Sequence, residues 1–163
     1  MIVIIEGLDC CGKTTLSKRF AEKYNFEYIK ESYTDDNNEK VNRIKLLSER
    51  LSDSKNYIYD RTTLIDDFVY DFLNKEKSVL HEYLTTILSL LSKCKIVHLT
   101  LDEEIREQRL NERGDKYITN DMIKQINENY FNFYTNISNV RSYELTGDIE
   151  QDVDQIMEVI KND

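Results

Sequence analysis

The sequence contains no proline, only four glycines in 163 residues, and three cysteines, two of them adjacent at Cys10 and Cys11. An odd and partly contiguous set of thiols gives no disulfide framework, and a reducing cytoplasm is the expected compartment. Surplus basic charge is also missing: 22 Lys and Arg stand against 31 Asp and Glu, a net charge of −9. That balance argues against a nucleic-acid partner, since phosphate backbones are gripped by excess Lys and Arg. Any phosphate chemistry must therefore rest on a few placed cations. No long apolar run is present, the longest being Met1–Ile5, against the roughly 18 residues a membrane span requires. No cationic stretch leading into an apolar segment opens the chain, so neither a secretory signal nor a membrane partner is expected.

What is present is the composition of a folded domain. Hydrophobic residues make up 40% and charged residues 33%, too apolar for a disordered chain. A chain of this length buries roughly 70% of its unfolded surface, so it needs no staple, and residues 1–163 are expected to form one domain. Met1–Glu6 is a β-branched run, as in a strand buried on both faces. A helix over Lys13–Tyr24 and a strand at Phe26–Ile29 follow. The pattern then predicts a helix over Asn37–Leu51, a strand at Asn56–Tyr59 and unbroken helical pairing from Leu64 to Leu73. Val79–Leu91 reads as a largely buried helix, Lys95–Leu101 as a fourth strand and Asp102–Arg113 as a helix. A long helix carries Met122, Ile126, Tyr130, Phe133 and Ile137. Ser142–Leu145 reads as a fifth strand, and an amphipathic helix ends at Ile160. Strands alternating with helices predict an α/β fold with a five-stranded parallel sheet and helices on both faces.

Half of the glycines fall in Gly7-Leu8-Asp9-Cys10-Cys11-Gly12-Lys13-Thr14, which fits G-x-x-x-x-G-K-[ST] between a strand and a helix. Two glycines let the backbone curl so that N–H groups cradle phosphate oxygens at a helix N-terminus. Lys13 can then reach the β- and γ-phosphates of ATP, and the Thr14 hydroxyl can ligate Mg²⁺. Leu8, Cys10, Cys11 and Thr15 complete the expected nucleotide loop. In such a cradle the Cys10 and Cys11 thiols are expected to have lowered pKa.

The wider segment Glu6–Thr15 resembles the phosphate loop of thymidylate kinases and related deoxynucleoside-monophosphate kinases, E-G-x-D/E-x-x-G-K-T-T. The resemblance implies a P-loop NTPase fold of the nucleoside monophosphate kinase type. It implies transfer of the ATP γ-phosphoryl group to a deoxynucleoside monophosphate such as dTMP, with ATP and Mg²⁺ as cofactors. It makes Asp9 a ligand of the acceptor sugar. Asp60-Arg61, after the third strand, matches the family's D-R-Y, which places Asp60 near Mg²⁺ and Arg61 on the acceptor phosphate. Thr62 replaces the aromatic, and the residues that usually follow are not at their places. Lys30-Glu31-Ser32 stands where the family has R-E-P and would supply a second phosphate cation, Lys30. Arg109 and Arg113-Gly114 match R-x-x-x-R-G and would clamp ATP from a short lid near 113–119. Arg106 reads differently, as a structural cation neutralised by Glu103; Glu112 is within reach of Arg109. His98 reads as packed, the Tyr130–Tyr134 segment as core, and Thr146-Gly147-Asp148 as a turn or an adenine-contacting loop. The chain is compact, like virus-encoded members, and members are often homodimers.

Two other readings stand beside this one. A deoxynucleoside kinase would use Glu31 as general base on a 5′-hydroxyl. A nucleotide-dependent switch would bind ATP without transferring its phosphate. The accepted base rests on residues between Thr34 and Arg50 and around Phe68–Phe72, where the family match is poor.

Overall fold

The computed structural model describes residues 1–73, 77–113 and 119–162. Five strands form one parallel sheet: β1 (Ile2–Gly7), β2 (Glu27–Lys30), β3 (Tyr57–Asp60), β4 (Lys95–Thr100) and β5 (Val140–Glu144), in the spatial order β2-β3-β1-β4-β5. The helices are α1 (Lys13–Tyr24), α2 (Asn37–Leu51), α3 (Thr63–Val69), α4 (Leu84–Leu91), α5 (Glu103–Arg113), α6 (Asn120–Tyr134) and α7 (Ile149–Lys161).

β1 lies at the centre and is buried along its whole length, which is why its sequence does not alternate. Val3 and Ile5 pack with Leu16 and Phe20 of α1 and with Val153, Ile156 and Ile160 of α7. Ile2 and Ile4 face the opposite core, with Ile44 and Leu47 of α2, Leu64 and Ile65 of α3, and Tyr130 of α6. The chain therefore leaves β1 toward one face of the sheet and the neighbouring β3 toward the other. Between two such strands a crevice opens at their carboxyl ends, where open α/β sheets bind ligands.

The expected elements are present, with shifts of one or two residues at several strand ends. Two helices are more broken than their periodicity predicts. α3 stops at Val69 and gives way to a 3₁₀ turn at Asp71–Leu73, because Phe72 and Leu73 are exposed and no core holds them to the helical path. The Val79–Leu91 segment begins as a 3₁₀ turn over Val79–Tyr83 and becomes α-helical only from Leu84. It buries Leu80, Ile87, Leu90 and Leu91, while Tyr83, Leu84, Thr85 and Thr86 face solvent, so it is not apolar all round. Phe131 is likewise 71% exposed although its neighbour Tyr130 is core. No described helix is long and apolar enough to cross a membrane.

Candidate active site

The crevice is a cleft of about 1140 Å³ lined from the phosphate loop, the ends of β2 and β3, α3 and α5. Its first half is built on the Gly7–Thr14 turn. Gly7 leaves β1 with φ 136°, and a Cβ there would sit 2.5 Å from the Leu99 carbonyl oxygen, so only glycine lets the loop pass over β4. Gly12 (φ 81°) and Cys10 (φ 64°) complete the curl in the left-handed region. Cys10 is not glycine, and a side chain held there marks a backbone constrained by its surroundings.

Lys13 begins α1, is buried, and donates from Nζ to the carbonyls of Gly7 (2.8 Å) and Leu8. Burial, with the Arg61 guanidinium nearby, pulls its pKa below the usual lysine value. A buried ammonium resting on two loop carbonyls, with no carboxylate on it, fits a group that takes phosphate oxygens. Thr14 Oγ1 donates to Asp60 Oδ2 at 2.6 Å, the same oxygen that accepts from Tyr28 OH at 2.9 Å. Burial, reinforced by that bond, pushes the Tyr28 phenol up to about 12. A hydroxyl and a carboxylate in contact beside the loop suit Mg²⁺, which keeps most of its shell as water and phosphate. Lys30 stands at this spot, Nζ 3.4 Å from Thr14 Oγ1 and 3.6 Å from Asp60 Oδ2, more than half exposed. Arg109 of α5 reaches back over the loop and donates to the Cys10 carbonyl at 3.3 Å.

Across the cleft the charges are paired with one another. Arg61, the residue after β3, has φ 69° and forms an ion pair with Asp9 of the loop, with Asp66 at 3.8 Å. Burial draws its pKa down, but the Asp66 and Asp9 carboxylates outweigh that and raise it. Glu31 accepts from Thr63 N (2.8 Å) and Thr62 Oγ1 (3.2 Å), with Arg43 at 3.8 Å. Arg43 is buried and also donates to the Ser32 carbonyl, Glu39 and Thr63. Lys40 and Asp67 form a buried pair at 2.9 Å, extended by Lys40 to Ser78 Oγ at 3.3 Å. Asp67 Oδ2 and the Tyr70 hydroxyl are buried without a hydrogen-bond partner among the described residues. Beneath both halves lies Glu6, fully buried, accepting from Thr62 N (2.9 Å) and Tyr130 OH (3.2 Å). Burial holds its carboxyl well above the usual range, with Asp66 adding to the rise.

The chain is 30% identical over 131 residues, 79% of its length and 79% of the other's, to the SPbeta prophage-derived uncharacterized protein YorR of Bacillus subtilis (strain 168). It belongs to the YorR family. No general family model matches the sequence. The crystal structure of YorR from Bacillus subtilis, in complex with phosphorylated GDP, superposes with a TM-score of 0.76 at 25% identity, over 99% of this chain and 96% of YorR. Deoxyadenosine kinase from M. mycoides with bound dCTP has a TM-score of 0.65 at 19% identity, covering 100% of both chains. Thymidylate kinase from Candida albicans has 0.60 at 19%, over 99% of this chain and 91% of that one. The fold of this YorR-family chain is therefore that of P-loop kinases.

Of the residues singled out from sequence, Asp9, Cys10, Gly12, Lys13, Thr14, Thr15, Lys30, Glu31, Asp60, Arg61 and Arg109 all line the one cleft. The Arg113 side chain lies outside the described residues, and so do residues 114–118 of the lid expected near 113–119. Three expectations are corrected. Cys11 is buried against the sheet, and desolvation raises its thiol pKa, outweighing the nearby Lys13 and Arg106 charges. Glu103 makes no ion pair with Arg106, which is buried instead. Glu112 accepts from Gln108 rather than neutralising Arg109. Thr146–Asp148 is a turn whose Asp148 caps α7. Residues that sequence reasoning missed are Glu6, Tyr28, Lys40, Arg43, Asp66, Asp67 and Tyr70. Glu6 carried a signal, as a charged residue inside an otherwise apolar strand, and Lys40, Arg43 and Tyr70 fall in the stretches assigned to base choice.

Proposed function

We propose that this protein is a P-loop kinase transferring the ATP γ-phosphoryl group to the 5′-phosphate of a deoxynucleoside monophosphate, dTMP-like by the resemblance of its loop. The single observation that carries this reading is the position of Arg61. It stands between the phosphate loop and the acceptor half, fixed by Asp9 and Asp66, where a cation would hold an acceptor phosphate in line with the γ-phosphate. The phosphorylated GDP held by YorR supports a nucleotide site in this family. ATP would lie on Gly7–Thr15 with Arg109 above it, and Mg²⁺ on Thr14 and Asp60. The ion supplies charge neutralisation between the phosphates. Lys13 would leave its two carbonyls to follow the transferring group, and Lys30 would move off the metal position toward phosphate. Asp9, already at the acceptor side, would take the sugar hydroxyl. A monophosphate is already ionised, so positioning and charge suffice.

The nucleoside reading has one observation of its own: Glu31 lines the cleft and could serve a 5′-hydroxyl. Its bonds to Thr63 N and Thr62 Oγ1 instead suit a carboxylate that fixes the start of α3. Arg61→Ala and Glu31→Gln, assayed by ADP release with thymidine and its monophosphate, separate the two. The proposal expects Arg61→Ala to raise the acceptor KM and lower kcat together, with Glu31→Gln the milder change. A Glu31→Gln enzyme losing 10²-fold or more on thymidine, with a wild type inert toward the monophosphate, would overturn it.

A further inference from the structure

A second cavity, of about 200 Å³, lies on the other side of the phosphate loop, between the end of β4, α5 and α6. Its floor holds Arg106, which is only 4% exposed. The guanidinium has no hydrogen bond and no carboxylate within 4 Å among the described residues, unlike buried Lys40 and Arg43, which are paired. Burying an unpaired charge is costly, and buried arginines normally hold an anion. The cavity offers Arg106 no anion of its own beyond Glu103 on the rim, which does not reach it. His98, also in the wall, bonds through Nδ1 to Tyr134 OH and is kept neutral, its pKa lowered to about 4 by burial and by Lys13. Thr100 and Asn127, both exposed, add a hydroxyl and an amide at the rim.

We propose that this cavity is a binding site for a small tetrahedral oxyanion of the phosphate class, separate from the nucleotide cleft, with Arg106 as its anchor. A planar guanidinium fork presents paired N–H donors to such an anion, and Thr100 and Asn127 supply further polar contacts from other sides. The volume takes one phosphate group and is too small for a nucleotide. Leu8 and Cys11 belong both to the phosphate loop and to this wall, so filling the cavity braces the loop from behind. An anion that favours one loop conformation must be favoured by nucleotide in return.

The test is a titration of the full-length protein with inorganic phosphate at constant ionic strength, with and without a non-hydrolysable MgATP analogue. The Arg106 Nε–H resonance is followed, identified by its loss in Arg106→Met. Because the shift is also read with the analogue filling the nucleotide loop, phosphate on that loop cannot be its source. A saturable shift, present with the analogue bound and absent with acetate at equal concentration, is the expected result. In chloride, Arg106→Met should melt at or above the wild type, since an unpaired charge has been removed; with the analogue filling the nucleotide cleft, phosphate should raise Tm in the wild type and not in Arg106→Met. Arg106→Lys should retain part of the phosphate response. No shift of the resonance, or an equal shift with acetate, would overturn the site. So would an Arg106→Met variant that melts below the wild type in chloride while Glu103→Gln loses as much, because Glu103 would then be the partner in solution.

Discussion

Over the phosphate loop the ligand-facing surface is a curled backbone with one buried lysine, whereas across the cleft every described cation already has a partner. Lys13 rests on carbonyls only a few residues away. Arg61, Lys40 and Arg43 rest on side chains 52, 27 and 4 or more residues distant in the chain, with Asp9, Asp67 and Glu39 as their carboxylates. The loop half can thus lose Lys13 without stranding an opposite charge. The facing half cannot lose Arg61, Lys40 or Arg43 in the same way. It is a set of paired charges whose members hold one another in place before any substrate arrives.

The comparison makes its largest prediction for stability. Lys40→Met leaves Asp67 buried and unpaired, with one oxygen already lacking a partner, and should cost about 3–5 kcal/mol, as breaking a buried pair does. Urea unfolding measures it. Lys40→Met combined with Asp67→Leu should recover most of the loss, and failure to recover would mean the pair is not the unit. On the donor side Lys13→Ala should leave stability unchanged or raised, since a desolvated ammonium is removed. Phosphoryl transfer should fall by roughly 10²–10³-fold, the loss of about 3–4 kcal/mol of charge stabilisation in a dry site.

How far each half is legible in the sequence follows from the same contrast. The loop, β1 and α1 are contiguous, and glycine spacing, a β-branched run and helical periodicity suffice to place Lys13 and Thr14. Asp60-Arg61 is also contiguous and sits at a strand end. Lys40 and Arg43 gave no such signal, because polar residues in the first turns of an amphipathic helix look like a solvated face. Their burial depends on α3 and the 3₁₀ turn at Val79–Tyr83 closing over them. Glu6 and Tyr130, 124 residues apart, meet only once β1 and α6 share a core. Arg106 shows the same limit from the other direction: helical spacing offered Glu103 as a partner, and packing against β4 and α6 turned the guanidinium inward.

The floor shared by the two halves makes a smaller, pH-dependent prediction. Burial lowers the His98 pKa from 6.5 to about 4, so its contribution to stability is intact above pH 6.5 and is lost as pH falls toward 4. Glu6 and Asp66, whose pKa values are raised, act with the opposite sign, favouring the fold at low pH. The difference between wild type and His98→Gln isolates the histidine. It should shift by on the order of a few kcal/mol against wild type across that window. A pH-independent difference would mean His98 is solvated. The smallest effect concerns Lys30: removing its ammonium from beside Thr14 and Asp60 should lower the Mg²⁺ concentration for half-maximal activity a few-fold, worth about 1 kcal/mol at an exposed site. An unchanged or higher requirement would mean that Lys30 does not occupy the metal position in the free protein.

The most direct test of the account is ADP release by the wild-type protein with MgATP, against each deoxynucleoside and each deoxynucleoside monophosphate in turn. The account predicts turnover with at least one 5′-monophosphate and none with the corresponding nucleoside. Turnover confined to nucleosides, or stable ATP binding with no transfer to either set, would contradict it.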